Sequence, residues 1–422
     1  MNIHEALNYI HGIPWTNAAP GLARTRALLE RMRNPERKLK FIHIAGTNGK
    51  GSIAAMLASM LRAAGYRTGL YTSPYIKRFN ERMQINGIPI PDMELARITE
   101  RVQPLADALE EHPTEFELVT CIAMEYFALH SCDIVVLEVG MGGEFDSTNV
   151  IDTPEAAVIA NIGMDHTQVL GGTIEEIAQA KAGIIKSGCD CVLYAQRPGV
   201  EAIFERTCSA RGARLRRARM EYLRPISHNL EGQRFDWKAL SNLRIPLLGR
   251  HQLNNASVAL TTVEVLSARG WNIPEAAIRQ GLSDVAWPGR FQLVRRNPLF
   301  IVDGGHNPQC LEALIQTIRD YLPNRRITFL CGCMFDKDYA KMFSLLAPYA
   351  NAFVTVTPDH PRALFAGRLA QDMQRRGLAA HACATIEAGV HTAIDWAGPD
   401  GAVCACGSLY MISNIIEALN TL

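Results

Sequence analysis

One segment of this chain has residue types and spacing that could hold a polyphosphate: Gly46-Thr47-Asn48-Gly49-Lys50-Gly51-Ser52, directly after the apolar run Phe41–Ala45. Glycines at 46, 49 and 51 let backbone N–H groups close on phosphate oxygens. A helix starting there adds its positive end, and Lys50 supplies a mobile charge. Ser52 then stands where a hydroxyl could ligand the Mg²⁺ that travels with ATP. The spacing is not that of the usual Walker A sequence, because two residues and not four separate Gly46 from Gly49. A glycine-rich turn without a ligand is the alternative, and the strand-like run before it and helix-like run after it favour the cradle.

Three further segments end apolar runs in polar groups: Thr72-Ser73-Pro74, Glu138–Gly143 and Asn161–His166. The hydroxyl of Ser73, the carboxylate of Glu138 and the imidazole of His166 could together hold a divalent cation. Oxygen donors beside a triphosphate favour magnesium. Taken singly, His166 could equally be a structural hydrogen-bonder and Glu138 a buried, paired carboxylate. Lys181 falls on a helix predicted to begin near Thr173, and its simplest reading is a surface lysine. Much later, Asp303-Gly304-Gly305-His306-Asn307-Pro308 joins a strand-like run to a helix-like one, a turn that could face ATP. Arg290 could neutralise phosphate charge.

These groups need elements to place them. Phe41–Ala45, Thr68–Thr72, Asp133–Val139, Ala156–Asn161 and Cys189–Ala195 read as strands, with helical patterns between most of them. After the cradle, Ile53, Met56, Leu57, Met60 and Leu61 recur at helical spacing and Gly65 is a natural stop. Continuous apolar strands separated by helices predict an α/β fold with a mainly parallel sheet covered on both faces, and the glycine turn makes this domain P-loop-like. In such sheets ligands bind beyond the carboxyl ends of the strands, where this glycine turn sits. A second alternation, with strands at Leu299–Asp303, Ile327–Cys331, Ala352–Val356 and Ala402–Ala405, predicts a smaller α/β domain. Trp287-Pro288-Gly289-Arg290 reads as a hinge, which divides the chain into residues 1–286 and 287–422. Residues 211–249 show weak periodicity, and no element is placed there.

A length of 422 residues fits two domains, and 48% hydrophobic with 20% charged residues is the composition of a globular enzyme. No apolar run approaches the ~18 residues of a membrane helix. The N-terminal MNIHEALNYIHGIPW lacks the basic and continuous apolar parts of a signal peptide, which points to the cytoplasm. A formal charge of +1 gives no overall attraction to nucleic acid or anionic membrane. The basic cluster Arg211, Arg214, Arg216, Arg217 and Arg219 could hold an acidic substrate tail or be a solvated helix edge. The 11 cysteines contain C-x-C pairs at 189/191, 331/333 and 404/406 but no C-x-x-C, which fits buried reduced thiols better than zinc or disulfides.

The segments GTNGKGS, TSPYIKRFNERMQINGIPI, TEFELVTCIAMEYFA, EVGMGGEFDSTNV, NIGMDHTQVLGGTIEEIAQAKAGIIKSG, RHQLNNA, WPGRF, DGGHNP, MFDKD and CGSLYMISNI resemble, in order, the motifs of the folylpolyglutamate synthase and dihydrofolate synthase family within the Mur ligases. The resemblance covers nearly the whole chain. It implies an N-terminal ATP-binding domain and a Rossmann-like C-terminal ligase domain, with ATP and folate meeting in the cleft between them. It assigns the phosphates and one Mg²⁺ to Gly49, Lys50, Gly51 and Ser52, within a loop that also contains Gly46, Thr47 and Asn48. Ser73, Glu138 and His166 match the family's magnesium ligands, so that two metal sites are expected. Lys181 matches a lysine that the family carbamylates. Asn255, Arg290 and Asp303 match nucleotide contacts, and His306 falls in the same phosphate-facing turn. Two positions depart from the commonest family pattern: Tyr75 stands where a histidine is usual and Glu144 where an arginine is usual. Both departures occur in some folylpolyglutamate synthases resembling those of Gram-positive bacteria.

The chemistry so implied is ATP-driven amide ligation. The carboxylate of a reduced folate or of dihydropteroate attacks the γ-phosphate, and the amine of L-glutamate then attacks the acyl phosphate, with Lys50, Lys181, His166 and Arg290 as the catalytic set. Positioning and charge neutralisation suffice for phosphoryl transfer, so no serine or cysteine nucleophile is expected. The resemblance also implies a monomer. Two rivals remain at this stage: a Mur-type ligase acting on a UDP-muramoyl peptide, and a nucleotide-dependent switch that hydrolyses ATP without ligation.

Overall fold

A computed structural model describes residues 1–13 and 21–422, so Pro14 and Trp15 of the N-terminal stretch lie outside the described residues. The chain divides into two units. The first comprises Met1–Arg224, Asp236–Leu243 and Asn254–Val285; the second comprises Pro225–Phe235, Arg244–Leu253 and Ala286–Leu422.

The first unit is built on eight strands: β1 (Phe41–Ala45), β2 (Thr68–Tyr71), β3 (Met83–Ile85), β4 (Ile88–Pro89), β5 (Ile134–Glu138), β6 (Ala156–Ile159), β7 (Asp190–Leu193) and β8 (Arg214–Arg217). They lie in the order β4-β3-β2-β5-β1-β6-β7-β8. From β2 to β8 every pairing is parallel, and only the β2–β3 and β3–β4 pairs are antiparallel. Every residue of β1, β2, β5, β6 and β7 is buried, which is why these strands read as mostly apolar runs without alternation. β1 lies between β5 and β6, so its C-terminal turn opens between the turns that follow its two neighbours.

Three residues of the basic cluster, Arg214, Arg216 and Arg217, lie on the edge strand β8 and not on a helix. Arg214 and Arg216 pair with Asp190, Arg217 with Glu201 and Glu205, and Arg219 with Glu221. Four of the five arginines thus have acidic partners within the unit, and charged side chains on an edge discourage a further strand from adding. The stretch without periodicity continues into β9 (Leu223–Asn229), β10 (Gly232–Trp237) and β11 (Leu240–Ile245), a sheet in the order β11-β10-β9. β9 buries none of its residues, so no alternation marks it.

The second unit contains a six-stranded sheet of β12 (Gln292–Arg296), β13 (Leu299–Val302), β14 (Ile327–Cys331), β15 (Ala350–Thr355), β16 (Ala380–Ala382) and β17 (Ala402–Cys406). The order is β12-β13-β17-β14-β15-β16, with β12 antiparallel to β13 and the remaining pairs parallel. Stacked Phe329 and Phe353, with ring centroids 5.7 Å apart, centre its core. All 11 cysteines are free thiols, and only Cys310 is not buried. Among the described residues no helix is long and apolar enough to cross a membrane.

The helix that follows the cradle, Lys50–Ala63, is held by the helix Glu275–Asp284. The two backbones meet at Gly281, where an added Cβ would lie 2.4 Å from Met60 Cα. A Gly281→Ala substitution should therefore push the cradle helix outward and cost about 1–3 kcal/mol as overpacking. Urea denaturation measures this, and a stability equal to wild type would show that the crossing yields.

Candidate active site

β1 ends at Ala45 and the chain turns sharply into the loop 46–49. Gly46 passes so near the end of β6 that a Cβ there would lie 2.6 Å from Ala160 Cβ. Thr47 and Asn48 donate their backbone N–H groups to Asn161 O at 2.8 and 3.2 Å, and Thr47 Oγ1 donates to Gly163 O at 3.0 Å. The loop is thus pinned to the turn after β6. Gly49 caps the helix with φ +89°, and a Cβ on it would meet Asn255 Oδ1 at 2.6 Å, so glycine is required on both conformational and steric grounds. What remains pointing outward is the first helical turn, whose N–H groups at Lys50, Gly51 and Ser52 have no intrahelical acceptor. Ser52 is buried, and Asn255 is buried on the helix Arg250–Ala268.

Lys50 folds back on the loop, donating to Gly46 O at 3.1 Å and Thr47 O at 3.3 Å. Lys181 reaches the same Gly46 O at 3.0 Å. It is not a surface lysine: it is 4% exposed, near the C-terminal end of the helix Ile174–Ala182. Burial, reinforced by the neighbouring Lys50 charge, lowers its amine from 10.5 to about 7, against opposing pulls from Asp165 and Asp146. The helix starts where its sequence predicts, with a capping box between Thr173 and Glu176.

Ser73 and Glu138 are brought together because β2 and β5 are neighbours: the Ser73 N–H donates to Glu138 Oε2 at 3.3 Å. Glu138 is the last residue of β5 and is buried. His166 lies on an exposed turn after β6 with φ +51°, and its N–H donates to Asp165 Oδ1 at 2.9 Å. Among the described residues no group of three or more His, Cys, Asp or Glu could hold a metal. The oxygen atoms of Ser52, Ser73 and Glu138 are hard donors that fit magnesium.

Residue-by-residue reading of the sequence left one part of the site unassigned, although its segment EVGMGGEFDSTNV was singled out whole. Asp146 is buried and accepts from Met141 N at 2.9 Å, Thr148 N at 3.0 Å and Thr148 Oγ1 at 2.5 Å, while burial pushes its carboxyl upward. Thr148 has one hydroxyl proton and gives it to Asp146, so its 2.8 Å contact with His43 must be donated by His43 Nε2. His43 Nδ1 then carries no proton and has no partner, and burial lowers this imidazole to about 3. The loop also touches the helix bearing Lys181: Glu144 N donates to Ala180 O at 2.9 Å, and a Cβ on Gly143 would lie 3.0 Å from Lys181 Cα.

In the second unit Asp303 follows β13 and accepts two backbone N–H groups, from Phe291 at 2.8 Å and Gly305 at 2.8 Å. Phe291 is held at φ +41°. Arg290 Nη1 donates to Gly289 O at 3.0 Å, and that oxygen also accepts from Gly304 N at 2.8 Å. His306 Nδ1 bonds Gly304 O at 2.9 Å, so this nitrogen carries the proton. Asn307 then caps the helix Pro308–Tyr321 by accepting from Cys310 N at 2.9 Å. His251 was missed as an individual residue. Its imidazole is lowered by burial and by Arg290, with Asp303 opposing, which places it among these groups. The RHQLNNA segment was the available signal.

A glycine cradle at the central strand of a parallel sheet, a buried lysine on its carbonyl and a second α/β unit define a Mur-type ligase. Residues 44–263 match the Mur ligase middle domain and residues 289–409 the Mur ligase glutamate ligase domain. The chain is 39% identical to the dihydrofolate synthase/folylpolyglutamate synthase of Bacillus subtilis over 86% of each chain, and 35% identical to the folylpolyglutamate synthase of Lacticaseibacillus casei over 99% of each. It superposes on a solved folylpolyglutamate synthase–AMPPCP–folate complex with a TM-score of 0.88 and 33% identity, covering 99% of this chain and all of that one. The chain belongs to the folylpolyglutamate synthase and dihydrofolate synthase family.

The Lys181 amine carries a sign that can be tested. Its unfolded value near 10.5 lies above its folded value near 7, so between these values the unfolded chain binds a proton that the folded chain does not. Stability should therefore rise as pH increases from about 7 to about 8.5, before free thiols ionise, by up to ~1.4 kcal/mol per unit from this group. Urea midpoints in carbon-dioxide-free buffer, for wild type and Lys181→Met, measure the slope. Equal slopes would mean that the buried amine stays charged.

Proposed function

We infer that this protein is an ATP-dependent ligase that adds L-glutamate to the free carboxylate of a folate through an acyl phosphate, releasing ADP and phosphate. One observation carries the assignment: folylpolyglutamate and dihydrofolate synthases match along almost the entire chain, both units included, and one such structure holds AMPPCP and folate together. That extent sets aside the UDP-muramoyl peptide as acceptor. It also argues against a switch that hydrolyses ATP without ligation.

The reaction follows from the groups present. ATP phosphates lie against the N–H groups of Lys50, Gly51 and Ser52, with Gly46, Thr47, Asn48, Gly49 and Asn255 shaping the loop. Lys50 exchanges the carbonyls of Gly46 and Thr47 for phosphate oxygens. A folate carboxylate attacks the γ-phosphorus and ADP leaves. The glutamate amine then attacks the acyl carbon, loses a proton and expels phosphate. By its motif position Arg290 is assigned to neutralising phosphate charge, and Asp303 and His306 shape the turn beside it. Residues 1–286 serve as the ATP-binding domain and residues 287–422 as the ligase domain, and a single chain acting in the cytoplasm supplies every group.

Magnesium, when bound, would neutralise phosphate charge; Ser52 would hold one ion, and Ser73, Glu138 and His166 a second. The low value of the Lys181 amine supports carbamylation. A neutral amine is the form that adds to carbon dioxide, giving a carbamate and a proton, and this replaces a cation by an anionic oxygen group beside the loop. A reduced folate is the preferred acceptor, with dihydropteroate the second candidate.

Phosphate release with ATP should require glutamate together with a pteroyl acceptor. Tetrahydrofolate, methylene-tetrahydrofolate, dihydropteroate and a UDP-muramoyl peptide, each with and without glutamate, separate the readings. Release that ignores both additions would overturn ligation. Lys181→Ala should lower kcat by about 10²-fold or more, and near-normal turnover would remove its assigned role.

A further inference from the structure

We propose that Asn149 is a positioning residue for Lys181, a reading that rests on Lys181 being the modified lysine. Asn149 is 4% exposed, and its Nδ2 donates to two backbone carbonyls, Glu144 O at 3.0 Å and Gly183 O at 3.3 Å. Glu144 belongs to the loop after β5, and Gly183 is the residue that ends the helix bearing Lys181. One amide group therefore ties the loop to the helix end. Its Oδ1 is buried with no hydrogen-bond partner, so the side chain is used for its two donors.

The rest of the contact leaves little slack. The Glu144 N–H holds Ala180 O at 2.9 Å, just before Lys181, and Asn149 holds Gly183 O just after it. No side chain cushions the two backbones: a Cβ on Gly183 would lie 2.4 Å from Glu144 Cβ. Lys181 Cα is thus bracketed from both sides, and its amine meets Gly46 O at 3.0 Å. Carbonyls at a helix end lack intrahelical donors and must find others if buried. Gly183 O has two, Asn149 Nδ2 and Arg211 Nη1 at 3.3 Å. Removing the amide donors frees the helix end, moves the Lys181 amine relative to the phosphate loop and weakens retention of carbon dioxide on it.

The test uses full-length enzyme with ¹³C-labelled bicarbonate. The carbamate carbon is read by NMR, and ligation is measured across a bicarbonate series. Asn149→Ala should leave the KM for ATP and folate within about threefold while lowering kcat about 10–100-fold. It should also weaken the carbamate signal, with kcat partly restored at high bicarbonate. Arg211→Met, which removes the other donor to Gly183 O without emptying a buried site, should shift the bicarbonate dependence in the same direction by a smaller factor, and serves if the first variant does not fold. Wild-type bicarbonate dependence in the folded variants would overturn the proposal. A wild-type enzyme with no carbamate signal whose Lys181→Ala form still ligates would instead overturn the reading of Lys181 itself.

Discussion

The carbonyl oxygen of Gly46 receives two ammonium groups, from Lys50 four residues ahead and from Lys181 on a distant helix. A single oxygen can offset little of the cost of burying the Lys181 charge, to which repulsion from the part-buried Lys50 adds. The more deeply buried amine relieves it by giving up its proton readily. Much of the first unit serves to make this meeting possible. β1 must be central so that its turn faces the turn after β6. Gly46 must lack a side chain so that the loop can close on Ala160, and the helix bearing Lys181 must be docked on the loop after β5. Moving any of these parts separates the carbonyl from one of its two donors.

Elements that bury both faces were legible, because an apolar strand followed by a glycine turn leaves few alternatives. The strand predicted at Phe41–Ala45 has those bounds, and those predicted through Thr72, Val139 and Asn161 end one or two residues sooner, leaving Thr72 and Asn161 beyond the ladder. For Lys181 only the surface-lysine alternative fails, and the resemblance had already assigned the residue to the site. Ile174, Ile177, Ala178 and Lys181 fall on one face of their helix, and all but the first are buried, so the spacing itself placed a lysine on the apolar stripe. His43 and Asp146 were harder to see. A histidine inside a strand and an aspartate inside a glycine-rich loop look ordinary until the fold makes them neighbours of Thr148. β8 and β9 expose most of their residues, and without a buried face there is no period to read.

Asp303 illustrates how a conspicuous acidic residue can act through the backbone. Both of its oxygens are occupied by N–H groups, one fixing Phe291 in a left-handed conformation and the other fixing the turn at Gly305. Arg290 immediately precedes Phe291, and its guanidinium shares Gly289 O with the backbone of Gly304. The aspartate therefore sets where the arginine emerges. Motif spacing can mark such a residue but cannot separate a group that touches the ligand from one that shapes the support, since both occupy the same turn.

The two departures from the common family pattern fall where this logic would tolerate them. Glu144 works through its main chain, its N–H on Ala180 and its carbonyl on Asn149, while its side chain is exposed; an arginine or a glutamate there leaves the bracket around Lys181 unchanged. Tyr75 is different, because its ring lies 5.9 Å from that of Phe79 and 5.5 Å from the Arg82 guanidinium, two residues after the hydroxyl of Ser73. A histidine in its place would present a smaller ring and a titratable nitrogen to the same cation. The phosphate loop, the buried lysine and the Ser73–Glu138 contact are indifferent to that exchange. Variation at position 75 therefore alters the ring that faces Phe79 and Arg82, two residues after Ser73.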